Sequence, residues 1–259
     1  MAIIALVDIE RKYNIASYLY CILLLIFMNI IITGASKGIG YAIAEIFASN
    51  GHAVYLNSKT AADLEKAAKE LTATYPNAVI EYMAADLSDQ QQVHAFTKWC
   101  LSKTTPDILI NNAGYFLPGA VQTAPEGQLA EQLNVNLFSA YHTTRDLLPK
   151  MIQKGAGHIF NICSIASLNA YENGGSYSIS KYALHGFSSN LRLELKDKGI
   201  KVTAVFPGAV FTNSWAGSGV DPKRIMEAND IAKMIYAATQ LSPQAVVEDI
   251  VMRPLLGDL

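Results

Sequence analysis

The stretch NIIITGASKGIGYAIAEIFASNG, Asn29 to Gly51, constrains the fold more tightly than any other part of this chain. Asn29–Thr33 is a short β-branched run that stops at Gly34, the pattern of a buried parallel strand. From Gly38 onward apolar residues recur at helical spacing, and Asn50–Gly51 is a helix stop. Between the two lies T-G-x-x-x-G-x-G. Gly34 permits a tight turn, Gly38 lets backbone approach a pyrophosphate, and Gly40 lets the helix pack closely on the sheet. The helix N-terminus adds free N–H groups and a positive dipole end. Alone, the motif is also compatible with an ordinary glycine turn; placed between a strand and a helix, it reads as a dinucleotide cradle.

The rest of the chain repeats the alternation. Strands are predicted at HAVYLN, AVIEYMAAD, DILINNAG, GHIFNICS, IKVTAVFPG and AVVEDIVMRP. Helices are predicted at AADLEKAAKELTATY, DQQQVHAFTKWCLSK, LAEQLNVNLFSAYHTTRDLLPKMI, SYSISKYALHGFSSNLRLELKDKG and DIAKMIYAATQL. This order implies right-handed crossovers and an α/β fold. The expectation is a single-domain, Rossmann-type doubly wound parallel sheet of about seven strands, order 3-2-1-4-5-6-7, with helices on both faces. In such sheets ligands bind outside the carboxyl ends of the strands. Gly34, Asn57–Lys59, Asp86, Asn111–Gly114, Ser164 and Pro207–Gly208 all fall at those ends.

Upstream, every residue from Tyr18 to Met28 is apolar or aromatic. That run is short of the about 20 residues a membrane-spanning helix needs. Cleavage as a secretory signal would need small residues, and the first downstream are Gly34 and Ala35, inside the glycine motif. The run therefore divides at Met28: residues 28–259 form the nucleotide-binding domain and residues 1–27 an N-terminal extension. Met28 as the true initiator and an extension that packs on the fold or rests on a membrane surface are the two readings of that segment. No full membrane span is expected.

A chain of 259 residues with formal charge −2 and a pI near 6.2 carries no electrostatic signature of nucleic-acid binding. Cys21, Cys100 and Cys163 are odd in number and widely spaced, which fits reduced thiols and a cytoplasmic setting. The five histidines show no ligand spacing, and no metal is expected.

The segment after the second strand selects the dinucleotide. A free ribose 2′-hydroxyl is usually held by an acidic residue there. This chain places Ser58 and Lys59 at that point, with Lys37 in the glycine loop. A serine hydroxyl and two ammonium groups suit a 2′-phosphate, so NADP(H) is expected; the alternative makes Lys37 and Lys59 solvated surface charges.

Tyr177 and Lys181 are four apart on a predicted helix and share a face. A phenol normally titrates near 10. A neighbouring ammonium favours the phenolate and would bring it into general acid/base range. Tyr55 and Lys59 have the same spacing but lie on a strand and its loop. Ser164 ends the fifth strand, where its hydroxyl can polarise a carbonyl, and Asn136 lies within a predicted helix, an unfavourable place for asparagine. Ser164 as a turn residue and Asn136 as a helix hydrogen-bonder are their structural alternatives.

Together TGASKGIG, the Asp86–Leu87 pair of AADLS, NNAG, Asn136, Ser164, YSISK and PGAVFT resemble the short-chain dehydrogenase/reductase family, from about Met28 to the C-terminus. The resemblance implies that Tyr177 protonates a carbonyl oxygen held by Ser164. Lys181 would bind the nicotinamide ribose and depress the tyrosine pKa, and Asn136 would keep a relay water in place. Gly34, Ser36, Lys37, Gly38, Ile39 and Gly40 would hold the pyrophosphate side, and Asp86 and Leu87 the adenine. Asn112, Ala113 and Gly114 would line the adenine-ribose side, and Pro207, Gly208, Val210 and Thr212 would cover the nicotinamide. Tyr177 and Lys181 would also touch the cofactor.

For the substrate, Phe116, Leu117, Tyr171 and Trp215 are candidates for an apolar wall, or equally for packing. The irregular segment Ala209–Asp230 is the expected lid. TAADLEK, PGAVFTNSW and the tail VVEDIVMRPLLGDL are similar to bacterial sepiapterin reductase-like members, which implies NADPH-dependent reduction of a pterin side-chain ketone, with Glu172 or Asp258 as the acidic anchor. A 3-oxoacyl-thioester reductase or broad carbonyl reductase is the alternative within enzymes; an NADP(H)-binding regulatory protein is the alternative outside them. The resemblance also implies a homodimer or homotetramer.

Overall fold

A computed structural model describes residues 27–212, 215 and 219–258. The extension expected over residues 1–27 lies, except for Phe27, outside the described residues, as do five positions of the expected lid.

Strands β1 (Asn29–Ile32), β2 (Ala53–Ser58), β3 (Val79–Ala84), β4 (Ile108–Asn111), β5 (Gly157–Ile162) and β6 (Ile200–Pro207) alternate with helices. The helices are α1 (Gly38–Ser49), α2 (Ala61–Thr74), α3 (Gln90–Lys103), α4 (Gln128–Leu133), α5 (Ser139–Lys154) and α6 (Gly175–Leu195). Two-residue strands β7 (Val210–Phe211) and β8 (Met226–Glu227), helix α7 (Ala228–Thr239) and strand β9 (Asp249–Met252) complete the chain. The main sheet is wholly parallel, with seven strands ordered β3-β2-β1-β4-β5-β6-β9. This is the expected doubly wound order. The added feature is the β7–β8 ribbon, which pairs the two ends of the expected lid segment. Its strands are too short for a periodic signal.

The alternation of side chains along β1 explains why helices cover both faces. Ile30 and Ile32 point into a core shared with Ile43 and Phe47 of α1, Leu64 of α2 and Ile231 of α7. Ile31 points the other way, into a core built from Phe96 of α3, Leu147 of α5 and Leu191 of α6. All three isoleucines are fully buried, each stabilising the fold by about 1.5–3 kcal/mol. A strand buried on both faces has no polar alternation, which is why NIIIT reads as a continuous apolar run.

The helix predicted across LAEQLNVNLFSAYHTTRDLLPKMI is interrupted. Between α4 and α5, residues Asn134–Phe138 form a wider, π-helical turn. Such bulges recur at functional sites, and this one carries Asn136.

Candidate active site

A cleft of about 1260 Å³ opens at the carboxyl ends of β1 to β6. Gly40 packs behind the glycine turn, whereas Gly34, Lys37 and Gly38 of that turn, Ser58–Lys59, Asp86–Leu87, Asn112–Gly114, Ser164, Tyr177, Lys181 and Pro207–Gly208 all line the cleft. So do Ser36, Ile39, Val210 and Thr212, together with Phe116, Tyr171, Trp215 and Asp258. Leu117 and Glu172 do not. Glu172 is exposed, in the loop where Asn173 adopts φ +59°, so of the two carboxylates considered for the substrate only Asp258 reaches the cleft.

Local bonding holds the glycine turn against β4. Thr33 Oγ1 accepts from the backbone N–H of Asn112 and of Ala113, both at 2.9 Å. The Asn112 amide donates to the carbonyls of Thr33 at 3.0 Å and Gly34 at 2.9 Å. Asn112 therefore braces the turn as well as lining the cleft. Gly34 has φ +64°, which glycine adopts without strain. At Gly40 a Cβ would lie 2.3 Å from the Gly34 carbonyl oxygen and 2.5 Å from Asn112 Nδ2. This closeness brings the start of α1 to the cleft, and no side chain caps that helix. Its uncapped N–H groups, the bare backbone at Gly34 and Gly38 and the size of the cleft fit a dinucleotide pyrophosphate.

At the other end, Ser164 caps the short turn Ile165–Ser167, accepting from the Ala166 N–H at 3.1 Å, while its own N–H donates to Ser167 Oγ at 3.2 Å. Tyr177 and Lys181 rise from α6 toward it. Burial pushes the Tyr177 phenol up to about 12, against a hydrogen bond with Ser164 that pulls it down. Burial brings the Lys181 ammonium down to about 8. Lys181 is 5% exposed and donates to the Ile162 carbonyl at 2.7 Å. The expected depression of the tyrosine by the lysine is not seen: burial raises the phenol, and the group that opposes it is Ser164, through its hydrogen bond. The Phe116 ring stands edge-on to Tyr177, with centroids 4.9 Å apart.

Asn136 is fully buried and does not line the cleft. Its Oδ1 accepts from the Tyr115 N–H at 2.9 Å, and its Nδ2 donates to the Tyr115 carbonyl at 3.1 Å and to Ser180 Oγ at 2.9 Å. Ser180 Oγ in turn donates to the Tyr177 carbonyl at 2.7 Å. The side chain therefore ties the strand β4 loop to the helix of Tyr177. A Cβ at Gly114 would sit 3.0 Å from Asn136 Oδ1 and 3.5 Å from Lys181 Nζ. The second Tyr/Lys pair is not assembled: Tyr55 packs on Trp99, and Lys59 reaches Asp86.

Sequence reasoning did not single out Tyr115, Glu131, Asn134, Asn169 or Arg253, which also line the cleft. Arg253 pairs with Asp258 at 2.5 Å, and Arg224 donates to the carbonyls of Leu256, Gly257 and Asp258, holding the tail beside the cleft. A lone arginine after a terminal strand carries no spacing signal. No His/Cys/Asp/Glu group among the described residues could hold a metal ion. No helix among them is long and apolar enough to cross a membrane.

Known proteins are similar to this chain in sequence and in fold. A family-wide profile of short chain dehydrogenases matches residues 28–222. A sepiapterin reductase of Chlorobaculum tepidum is 34% identical over 239 residues, covering 89% of this chain and 97% of its own. An uncharacterised oxidoreductase of Staphylococcus aureus is 30% identical over 230 residues, covering 87% and 96%. Among solved structures, an alcohol dehydrogenase from the archaeon Thermococcus sibiricus, complexed with 5-hydroxy-NADP, superposes with a TM-score of 0.82 at 27% identity, covering 88% of this chain and 97% of its own. L-Sorbose reductase from Gluconobacter frateurii, complexed with NADPH and L-sorbose, gives 0.79 at 25% identity, covering 87% and 95%. The chain is an oxidoreductase-type member of the short-chain dehydrogenase family.

Proposed function

We infer that this chain is an NADPH-dependent carbonyl reductase acting on a small ketone, with a pterin side-chain ketone as the favoured substrate. The observation that carries this reading is the meeting of Ser164, Tyr177 and Lys181 in the same cleft as the glycine turn. The likeness to sepiapterin reductase supports the pterin.

The cofactor supplies the hydride that adds to the carbonyl carbon. The protein supplies the rest. The Ser164 hydroxyl holds the carbonyl oxygen, and Tyr177, protonated at neutral pH because burial raises its pKa, delivers its phenolic proton to that oxygen. Lys181 places a positive charge beneath the phenolate left behind, while Asn136 fixes the loop and helix that carry these groups. The glycine turn and the α1 N-terminus take the pyrophosphate, and Ser36, Lys37, Ser58 and Lys59 lie on the wall for the 2′-phosphate. Phe116, Tyr171 and Trp215 offer apolar surface to a flat ring, with Asp258 as the acidic group in reach.

Half-exposed Phe138 beside α5, and Ile179 and Tyr182 on α6, support pairing of two copies through these helices. The alternative of a broad carbonyl reductase draws support from the alcohol dehydrogenase and L-sorbose reductase neighbours. A substrate panel followed by NADPH absorbance tests the reading. Sepiapterin is expected to be reduced fastest, and Tyr177→Phe to lose about 10²–10⁴-fold in rate while binding NADPH normally. Normal carbonyl reduction by that variant would refute the mechanism.

A further inference from the structure

Lys59 is already engaged. Its Nζ lies 2.8 Å from Asp86 Oδ2, with the lysine side chain 76% exposed and the aspartate 26%. Asp86 is itself fixed in place. It also accepts, through Oδ1, from the Ser88 N–H at 3.0 Å and the Ser88 hydroxyl at 2.7 Å, while its own N–H donates to Gln92 Oε1 at 2.8 Å. The ion pair and the Ser88 bonds outweigh burial and leave the Asp86 carboxyl below its ordinary range. Lys59 is raised, by Asp86 first and more weakly by Glu131 of α4.

These groups share one rim of the cleft. The Ala35 N–H donates to the Asn57 carbonyl at 2.8 Å, and the Ala85 N–H to the Ser58 carbonyl at 3.1 Å. The ends of β2 and β3 and the glycine loop are thereby bound side by side. Ser36 and Ser58 hydroxyls are 2.9 Å apart on the same rim. Lys37 and Lys59 contribute two positive charges there, and Asp86 and Glu131 two negative ones.

We propose that Asp86 is a cofactor-specificity residue: its carboxylate competes with the ribose 2′-phosphate for Lys59 and so tempers the preference for NADP(H) over NAD(H). The proposal rests on the reading that the cleft takes NADP(H). A 2′-phosphate bears about −1.5 to −2 charges, against one for the carboxylate. An ammonium has three donors and can meet both, but the two anions then lie close together and repel. NAD(H) has no phosphate at this point and leaves the Lys59–Asp86 pair undisturbed. The effect belongs to the difference between the two nucleotides. Because the pair is largely solvated, it is moderate and weakened by salt.

The test is calorimetric titration of the full chain with NADP⁺ and with NAD⁺, comparing wild type, D86N, D86A, K59A and D86N/K59A. Removing the carboxylate is expected to raise the ratio of NADP⁺ to NAD⁺ affinity by about threefold to tenfold, less at 300 mM than at about 20 mM salt. In the K59A background the same change should leave the ratio where it was. An equal change for both nucleotides, or the same gain without Lys59, overturns the proposal while leaving the cleft's cofactor intact. Wild-type protein that binds neither nucleotide overturns the cofactor reading and this proposal with it.

Discussion

Lys181 Nζ lies 5.9 Å from the centre of the Tyr177 ring, yet its hydrogen bond goes to the carbonyl of Ile162. The ammonium is thus held beside the phenol by β5. The two groups titrate in opposite directions from their ordinary values, Tyr177 up to about 12 and Lys181 down to about 8. In the reductive direction Tyr177 is protonated through neutral pH, so the titration of Lys181 governs the profile. The kcat/KM for carbonyl reduction should be level below pH 7 and fall as pH rises through about 8. Lys181→Arg, charged throughout, should lose that alkaline limb in whatever activity remains.

Burying Lys181 also costs stability. Its folded pKa of about 8 lies below the ordinary 10.5, so the folded protein binds fewer protons than the unfolded chain between those values. Stability contributed by this group therefore rises with pH through that window and is lowest below 8. Lys181→Met is expected to be more stable than the parent by about 1–2 kcal/mol at pH 7, while losing activity. The advantage should shrink toward pH 10, as read by urea denaturation at each pH.

Gly40 gives a packing test. A methyl group there would press on the Gly34 carbonyl and the Asn112 amide, both parts of the nucleotide turn. Gly40→Ala should lower stability by about 1–3 kcal/mol. Nucleotide affinity should fall about tenfold or more, because the start of α1 is pushed from the sheet. Thermal unfolding and calorimetric titration check the two effects separately.

His158 should contribute to acid unfolding. Burial brings its imidazole down to about 3, and its Nε2 meets Thr203 Oγ1 at 2.7 Å beside the Phe160 ring. The folded pKa is depressed, so this stabilisation is fully present above about 6.5 and is lost as pH falls toward 3. Denaturant midpoints at pH 7 and 4.5 should differ less in His158→Gln than in the parent, since an amide can keep the bond to Thr203 without titrating.

Much of the fold was legible because each signal is local. NIIIT announces a strand buried on both sides through its own side chains, and Gly34 and Gly40 announce the turn through backbone demands a few residues wide. Tyr177 and Lys181 share a face by helix geometry alone. The chain of residues from Asn29 to Met252 therefore determined the strand order, the place of the cleft and the residues at its rim. Tertiary structure alone decided what those residues do to one another. Desolvation around α6 outweighs the Ser164 hydrogen bond and raises the Tyr177 phenol. Asn136 spends its amide on Tyr115 and Ser180 at the π-helical turn, and Asp86 takes Lys59. Each outcome is a balance of burial, charge and hydrogen bonding among groups distant in sequence, and such balances exist only once the chain has folded.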